Sequence, residues 1–217
     1  MPRSAAVPMV AHQFDDAAQQ RAAATMGMWL FLATEILFFG AMFLGYTVYR
    51  YAYPQPFAEA SRHTLIVFGS TNAAVLLISS TTMTFAVYAA RENRRRRLVW
   101  FLVLTASLGA LFLAIKEFEY SREISEHLLP GSSFHIVAAD PAKAEMFFYI
   151  YWLMTGVHAL HVTIGIILIL IFATRACFTN AFVSHDTPVD LLGLYWHFVD
   201  IVWQFLFPLL YLVHRHS

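Results

Sequence analysis

Charge and cysteine are both scarce in this sequence. Charged residues occupy 13% of the 217 positions, whereas an average soluble domain has about 25%. Lys and Arg together number 14, as do Asp and Glu, so the chain has no overall basic field with which to bind nucleic acid. Cys177 is the only cysteine, which excludes an internal disulfide and any metal cluster held by several cysteines.

Long apolar runs dominate what is present. Hydrophobic residues make up 59% of the chain and aromatic residues 16%, and the mean hydropathy is +0.58. A helix needs about 20 mainly apolar residues to cross a membrane, and five segments provide them: 26–49, 63–90, 98–118, 147–174 and 191–213. Residues 1–21 are more polar and lack a signal-peptide core. We therefore predict an all-α membrane protein, with a soluble tail over 1–21 and a five-transmembrane-helix bundle over 22–217.

An arginine cluster predicts the orientation of this bundle. Five arginines follow the second apolar run, at Arg91, Arg94, Arg95, Arg96 and Arg97, and basic residues near a span favour the cytoplasmic side. With five spans, the N-terminus is then cytoplasmic and the C-terminus lies outside, on the periplasmic side of a bacterial cytoplasmic (inner) membrane. Binding of anionic lipid is an additional role open to the same arginines.

Glu35 is the one charged residue inside the first apolar run. It lies about 13 Å into that run, at a rise of about 1.5 Å per residue. A charge at this depth costs at least ~2.5 kcal/mol, so we expect the side chain to face protein or a lipid cleft. It is either a hydrogen-bonded structural carboxyl or a group that handles protons or orders a bound lipid.

Histidine and aspartate occur in pairs on the last two predicted helices. His158 and His161 are three residues apart, as are His197 and Asp200, and residues at this spacing share a helix face. Together with Glu35, these side chains fall at overlapping depths. We predict a structural polar belt, because a hydrogen bond between an acid and an imidazole satisfies both groups inside the membrane.

A cofactor site is the alternative interpretation of these side chains. His161 and His197 are residue types that bind a membrane haem from two helices, and His158, His161 and Glu119 are residue types that bind zinc or two irons. The sequence has no Glu-x-x-His pair on an inner helix face and no second set of ligands. We therefore predict no metal, no cofactor and no catalytic residue in this chain, and we include Glu119 in the structural hydrogen-bond network.

Five motifs occur in the order in which one known family carries them. Residues 195–203 read Tyr-Trp-His-Phe-Val-Asp-Ile-Val-Trp, and residues 155–162 read Thr-Gly-Val-His-Ala-Leu-His-Val. The other three motifs are at 34–39, 70–82 and 116–120. Together they resemble the cytochrome c oxidase subunit III family across residues 22–215, in its short five-helix form.

The resemblance implies a non-redox subunit of a haem-copper respiratory oxidase. In that family the subunit packs against the catalytic subunit I, which holds haems and copper, and subunit II and other oxidase subunits are further partners. The subunit binds phospholipid, stabilises the catalytic subunit and supports proton uptake. The whole complex reduces dioxygen to water with cytochrome c and translocates protons in aerobic respiration.

Several alternatives stay open from the sequence. Within the same family, the chain resembles subunit III of a quinol oxidase or an accessory subunit of nitric oxide reductase equally well. The second apolar run has many small hydroxyl side chains, which also suit the polar lining of an independent transporter or channel. A membrane cytochrome is the remaining alternative, and it would show a haem absorption band from this polypeptide alone.

Overall fold

A computed structural model describes residues 11–131, 133–136, 138–178 and 187–212. Every regular element in these ranges is a helix, which confirms the all-α prediction. The elements are α1 (Ala17–Ala52), α2 (Pro54–Ser61), α3 (Ile66–Arg91), α4 (Arg95–Ser125), α5 (Pro141–Phe178), α6 (Thr187–Phe207) and a π-helical turn (Pro208–Leu212). The first part of the predicted tail, 1–10, and position 213 at the end of the last predicted span lie outside the described residues.

Four helices, α1, α3, α4 and α5, are long and apolar enough to cross a membrane. Within the described residues α6 is not among them. It carries the polar side chains of His197, Asp200 and Gln204 within a mostly apolar sequence. The membrane-protein prediction is therefore confirmed, whereas the count of five spans stays a prediction.

The helices extend beyond the apolar runs that predict them. α1 begins at Ala17 rather than at residue 26, because Asp16 caps it by accepting a hydrogen bond from the Gln19 amide at 2.7 Å. α4 continues to Ser125 rather than ending near 118. Hydropathy marks the part of a helix that suits hydrocarbon, whereas capping and tertiary contacts decide where the helix ends. The extra turns of α4 place polar residues inside the bundle.

α2 is a short helix that no apolar run predicts. It begins with Pro54, whose fixed φ suits the first turn of a helix. Its Phe57 is buried, with ring centroids 5.8 Å from Tyr46 and 5.6 Å from Phe147. The Tyr46 hydroxyl in turn donates a hydrogen bond to the Leu209 carbonyl oxygen at 2.5 Å. These contacts close the end of the bundle that is opposite to the arginine cluster.

α3, α4, α5 and α6 form a ring in which each helix packs against two neighbours. α3 and α4 are joined by a tight turn in which Asn93 has a φ of +57°, a conformation that asparagine tolerates better than most residues. α1 packs against the outer side of α5 and α6. Its buried residues Leu32, Phe39 and Tyr46 repeat every seven positions, which gives α1 one narrow stripe that faces protein.

Trp196 of α6 fills the centre of this ring and is fully buried. Its indole N–H donates a hydrogen bond to the Ser79 hydroxyl of α3 at 2.8 Å. A Cβ atom added to Gly109 of α4 would lie 2.7 Å from the indole, and one added to Gly165 of α5 would lie 2.8 Å from it. The indole fits because both neighbouring helices have glycine at the contact, and it thereby joins α6 to the other three helices.

We expect Gly165→Ala to destabilise the bundle. The added methyl group overlaps the rigid indole of Trp196, and overpacking of this kind costs about 1–3 kcal/mol. Thermal unfolding of the detergent-solubilised protein should show a midpoint lowered by several degrees. Gly156→Ala is the matched control, because it lies in the same helix and its added Cβ has no atom within 4 Å. Equal midpoints for the two variants would contradict the packing role of Gly165.

Candidate functional site

Glu35 of α1 and His161 of α5 form an ion pair or hydrogen bond at the surface of the bundle. Glu35 lies three residues after Leu32 and four before Phe39, so it belongs to the protein-facing stripe of α1. Its Oε2 atom is 3.1 Å from Nε2 of His161. The Glu35 side chain is 17% exposed and that of His161 is 14% exposed. Protein therefore covers most of the pair, and one side of it remains accessible from outside the bundle.

The second nitrogen of His161 determines how many protons this pair holds. Nδ1 lies 2.8 Å from the Val157 carbonyl oxygen, which can only accept, so Nδ1 must carry a hydrogen. The short contact between Nε2 and Glu35 then holds one shared proton, either as a neutral acid with a neutral imidazole or as a carboxylate with an imidazolium. Both arrangements have zero net charge, which is the state that a membrane interior favours.

An apolar groove of about 610 Å³ opens beside this pair between α1, α5 and α6. Met28 and Phe31 of α1 and Ile164 and Leu168 of α5 are among its lining residues, and Glu35 and His161 also line it. Tyr195 of α6 lies on the third side and donates a hydrogen bond from its hydroxyl to the His161 carbonyl oxygen at 3.0 Å. The groove thus presents one polar pair within walls that suit an acyl chain.

A second polar site, the Lys116 cluster, lies inside the bundle between α4, α5 and the π-helical turn. Lys116, Glu119 and Glu123 are 2%, 1% and 4% exposed. The Lys116 ammonium donates to Glu119 Oε2 at 2.9 Å, to the Tyr151 hydroxyl at 2.9 Å and to the Tyr211 hydroxyl at 3.0 Å. Tyr151 donates to Glu123 Oε1 at 2.7 Å, and Tyr211 donates to Glu119 Oε1 at 2.9 Å. Each charged group therefore has a partner despite its burial.

Four of these five residues, all but Glu119, are missing from the sequence-based prediction. Glu123 was missed because the predicted span ended at 118, whereas α4 continues to Ser125. Lys116 lay inside that span but was not assigned to the network. The spacing of Lys116, Glu119 and Glu123 places all three on one helix face, and this was the available signal. The tyrosines come from distant parts of the chain, and no local pattern marks them.

His197 and Asp200 of α6 face α3 rather than the pair at Glu35. His197 Nδ1 lies 2.7 Å from the Ser80 hydroxyl oxygen. Asp200 is 3% exposed, and Ser80 is close enough to interact with it. Its carboxyl oxygens form no hydrogen bond of good geometry with the described residues. Sequence spacing placed these two residues on one face correctly, but their neighbour is a hydroxyl-rich helix.

His158 packs between aromatic rings in the interior of the bundle. Its ring centroid is 5.4 Å from that of Phe112 and 5.1 Å from that of Trp203, and neither ring nitrogen has a hydrogen-bond partner among the described residues. His161, one turn further along, faces α1 instead. The belt expected from the sequence is thus divided among separate places, because residues three apart differ by about 60° around a helix and contact different neighbours.

No group of three or more His, Cys, Asp or Glu side chains within the described residues is arranged to hold a metal ion. His161 pairs with Glu35, and His197 pairs with Ser80. His161 and His197 therefore point to different partners, rather than converging as two axial ligands of a haem would.

Comparison with known proteins identifies a family. The family model described as cytochrome c oxidase subunit III matches residues 11–214. Cytochrome c oxidase subunit 3 of Thermostichus vulcanus is 30% identical over 191 residues, covering 88% of this chain and 87% of the relative. The protein of the same name from Synechocystis sp. is 33% identical over 189 residues, covering 86% and 74%. A probable quinol oxidase subunit 3 of Staphylococcus epidermidis is 26% identical over 191 residues, covering 87% and 88%.

The match includes all of the helices that build the two polar sites. Its range contains α1 and α5, which carry Glu35 and His161, as well as α4, which carries Lys116. The relatives have names that differ in the type of oxidase, but each is its subunit 3. The chain belongs to the cytochrome c oxidase subunit III family.

Proposed function

We propose that this chain is the non-redox subunit III of a cytochrome c oxidase that reduces dioxygen to water and translocates protons. Its partners would be the catalytic haem-copper subunit I, subunit II and other oxidase subunits. The family match over residues 11–214 carries this proposal, and two of the relatives are named as cytochrome c oxidase subunits. The haems and the copper belong to the partners, and this chain contributes lipid binding and stability.

A quinol oxidase is the second candidate for the parent complex. One relative of similar coverage has that name. Subunit III does not meet the electron donor in either complex, so the residues of this chain do not distinguish them. An accessory role beside nitric oxide reductase remains within the same family, and it shares the proposed contact with a haem-containing partner.

We also propose the membrane arrangement of the chain. The four long apolar helices and α6 would make five spans, with the N-terminus in the cytoplasm of a bacterium and the C-terminus outside its cytoplasmic membrane. The arginines between α3 and α4 support this orientation, because basic residues are retained on the cytoplasmic side. α6 would cross within the ring, where its polar side chains contact protein rather than lipid.

The Glu35–His161 pair would hold a phospholipid in the groove between α1, α5 and α6. The apolar walls suit an acyl chain, and the neutral but strongly polar pair would fix the position of the lipid and of α1. The proton shared between Glu35 and His161 also makes the pair a candidate for proton uptake. His158, His197, Asp200 and Glu119 would have structural roles in the helix ring.

We expect the parent complex to be identified by gentle solubilisation of the membrane with the chain as bait. A haem spectrum, copper and the catalytic subunit should accompany it, and the complex should oxidise reduced cytochrome c. Oxidation of quinol alone would assign the second candidate instead. A haem band from the isolated chain, or ion flux through it in liposomes, would contradict the proposal.

We expect Glu35→Leu to lower the amount of phospholipid that the assembled oxidase retains. It should also reduce the number of turnovers that the oxidase completes before it becomes inactive. The substitution leaves His161 Nε2 without its partner, and an unsatisfied buried group costs about 1–3 kcal/mol. Glu35→Gln keeps the shape and can donate a hydrogen bond to Nε2, so it should retain lipid and lifetime. Wild-type behaviour of Glu35→Leu would remove any role for this residue, and an equal loss in both variants would assign proton transfer.

Glu117→Gln is the control for these measurements. Glu117 is exposed and lies on α4, away from the lipid groove. Its substitution removes a carboxyl group without touching the pair. Any loss of lipid or lifetime that it shares with Glu35→Leu would therefore reflect the loss of a carboxyl group in general rather than the site.

We expect Lys116→Met to destabilise the whole bundle strongly. It removes the only ammonium from a buried site with two carboxyl groups, and breaking a buried pair costs about 3–5 kcal/mol. The midpoint of thermal unfolding should fall by on the order of 10 °C. The double variant Lys116→Met, Glu119→Gln should recover part of that loss, because it removes the uncompensated charge. A double variant no more stable than the single one would refute the ion pair as the cause.

A further inference from the structure

The five arginines between α3 and α4 do not all have the same surroundings. The protein itself provides partners for three of them: Arg91 with Asp190 at 2.9 Å, Arg94 with Glu92 at 2.7 Å, and Arg95 with the Ala176 carbonyl oxygen at 2.5 Å. Arg96 and Arg97 are exposed and form no hydrogen bond or ion pair with the described residues. Two guanidinium groups are therefore available to a ligand from outside the chain.

Two grooves begin at these arginines. The α3–α4 groove, of about 530 Å³, is lined by Arg96 and Arg97 and also by Glu92. The α4–α5 groove, of about 790 Å³, is lined by Arg95 and Arg96, and none of the described residues that line it is acidic. An anion would be repelled by the Glu92 carboxylate in the first groove, whereas the charged side chains among the described residues of the second groove are both guanidinium groups. The charge pattern therefore favours the α4–α5 groove for an anionic group.

The rest of the α4–α5 groove suits hydrocarbon. Val99 and Val103 lie along it, and it reaches Ser107. Arg96 and Ser107 are eleven residues apart on one helix, which is about 16 Å at 1.5 Å per residue. This is about the depth of one leaflet, since the hydrocarbon core is about 30 Å thick. Trp100, which is 67% exposed beside Arg96, is the residue type that marks the headgroup level.

We propose that the α4–α5 groove binds one anionic phospholipid from the leaflet at the arginine end of the bundle. Arg96 would hold the phosphate through its guanidinium group, with Arg95 beside it, because guanidinium and phosphate form paired, charge-assisted hydrogen bonds. One acyl chain would lie along Val99 and Val103. Basic pockets between membrane helices recognise anionic headgroups in this way. The site is separate from the groove at Glu35, and it does not depend on the identity of the parent oxidase.

Cys177 makes this proposal directly testable. It is the only cysteine of the chain, it is exposed, and it lines the α4–α5 groove. A lipid in the groove would cover its thiol. The experiment measures the rate of Cys177 alkylation by a maleimide, with the full chain in its complex in nanodiscs of phosphatidylcholine alone or with added phosphatidylglycerol.

We expect phosphatidylglycerol to slow alkylation of the wild-type chain by about fivefold, since one basic residue beside anionic lipid contributes about 1 kcal/mol. Arg96→Gln should abolish most of this difference, and Val103→Trp should do so by filling the groove. Arg97→Gln is the matched control, because it removes one charge from the same arginine cluster but lines only the α3–α4 groove. It should keep the full difference.

Three outcomes would overturn the site. Equal alkylation rates in the two nanodiscs would show that no anionic lipid selectively covers Cys177. Equal losses in Arg96→Gln and Arg97→Gln would indicate a diffuse attraction of lipid to the cluster rather than a groove. Protection in both nanodiscs that disappears when the partner subunits are removed would show that another protein covers this face.

Discussion

A polar group inside a membrane must find its partner within the protein, since hydrocarbon offers none. This constraint explains most of what is distinctive in the bundle. The Lys116 ammonium is buried, and it is stable there because two tyrosine hydroxyls and a carboxylate surround it. Glu35 meets the same requirement with His161 at the edge of the bundle. Both sites join helices that are distant in sequence, so satisfying the polar groups also fixes the tertiary arrangement.

Close packing provides the remaining stability of the helix ring. Lipid chains are as apolar as leucine, so membrane helices gain little from hiding hydrophobic surface and associate through van der Waals contact and hydrogen bonds. Trp196 shows this most clearly, since it lies against Gly109 and Gly165 and also bonds to Ser79. The glycines here serve close approach. Gly156, with open space around it, has no such role.

The outer surface is organised differently from the interior. Some polar groups in the ring pair with each other, as Lys116 does with Glu119 and Trp196 with Ser79, whereas Glu35 and Arg96 on the surface border apolar grooves. Glu35 and His161 form a neutral pair beside one groove, and Arg96 offers a net positive charge beside another. These grooves lie on different faces of the bundle, one between α1, α5 and α6 and the other between α4 and α5. In the proposed function, lipid would occupy these grooves while the core of the bundle stays closely packed.

The sequence by itself determined the all-helical membrane class, the family and the position of Glu35, because these depend on hydropathy and on motifs that are local in the chain. It also showed that His197 and Asp200 share a helix face. Only the tertiary structure decided which helix each face meets. It extended α4, brought Tyr151 and Tyr211 to Lys116, and turned His158 and His161 towards different neighbours, since such contacts depend on how helices pack rather than on spacing within one helix.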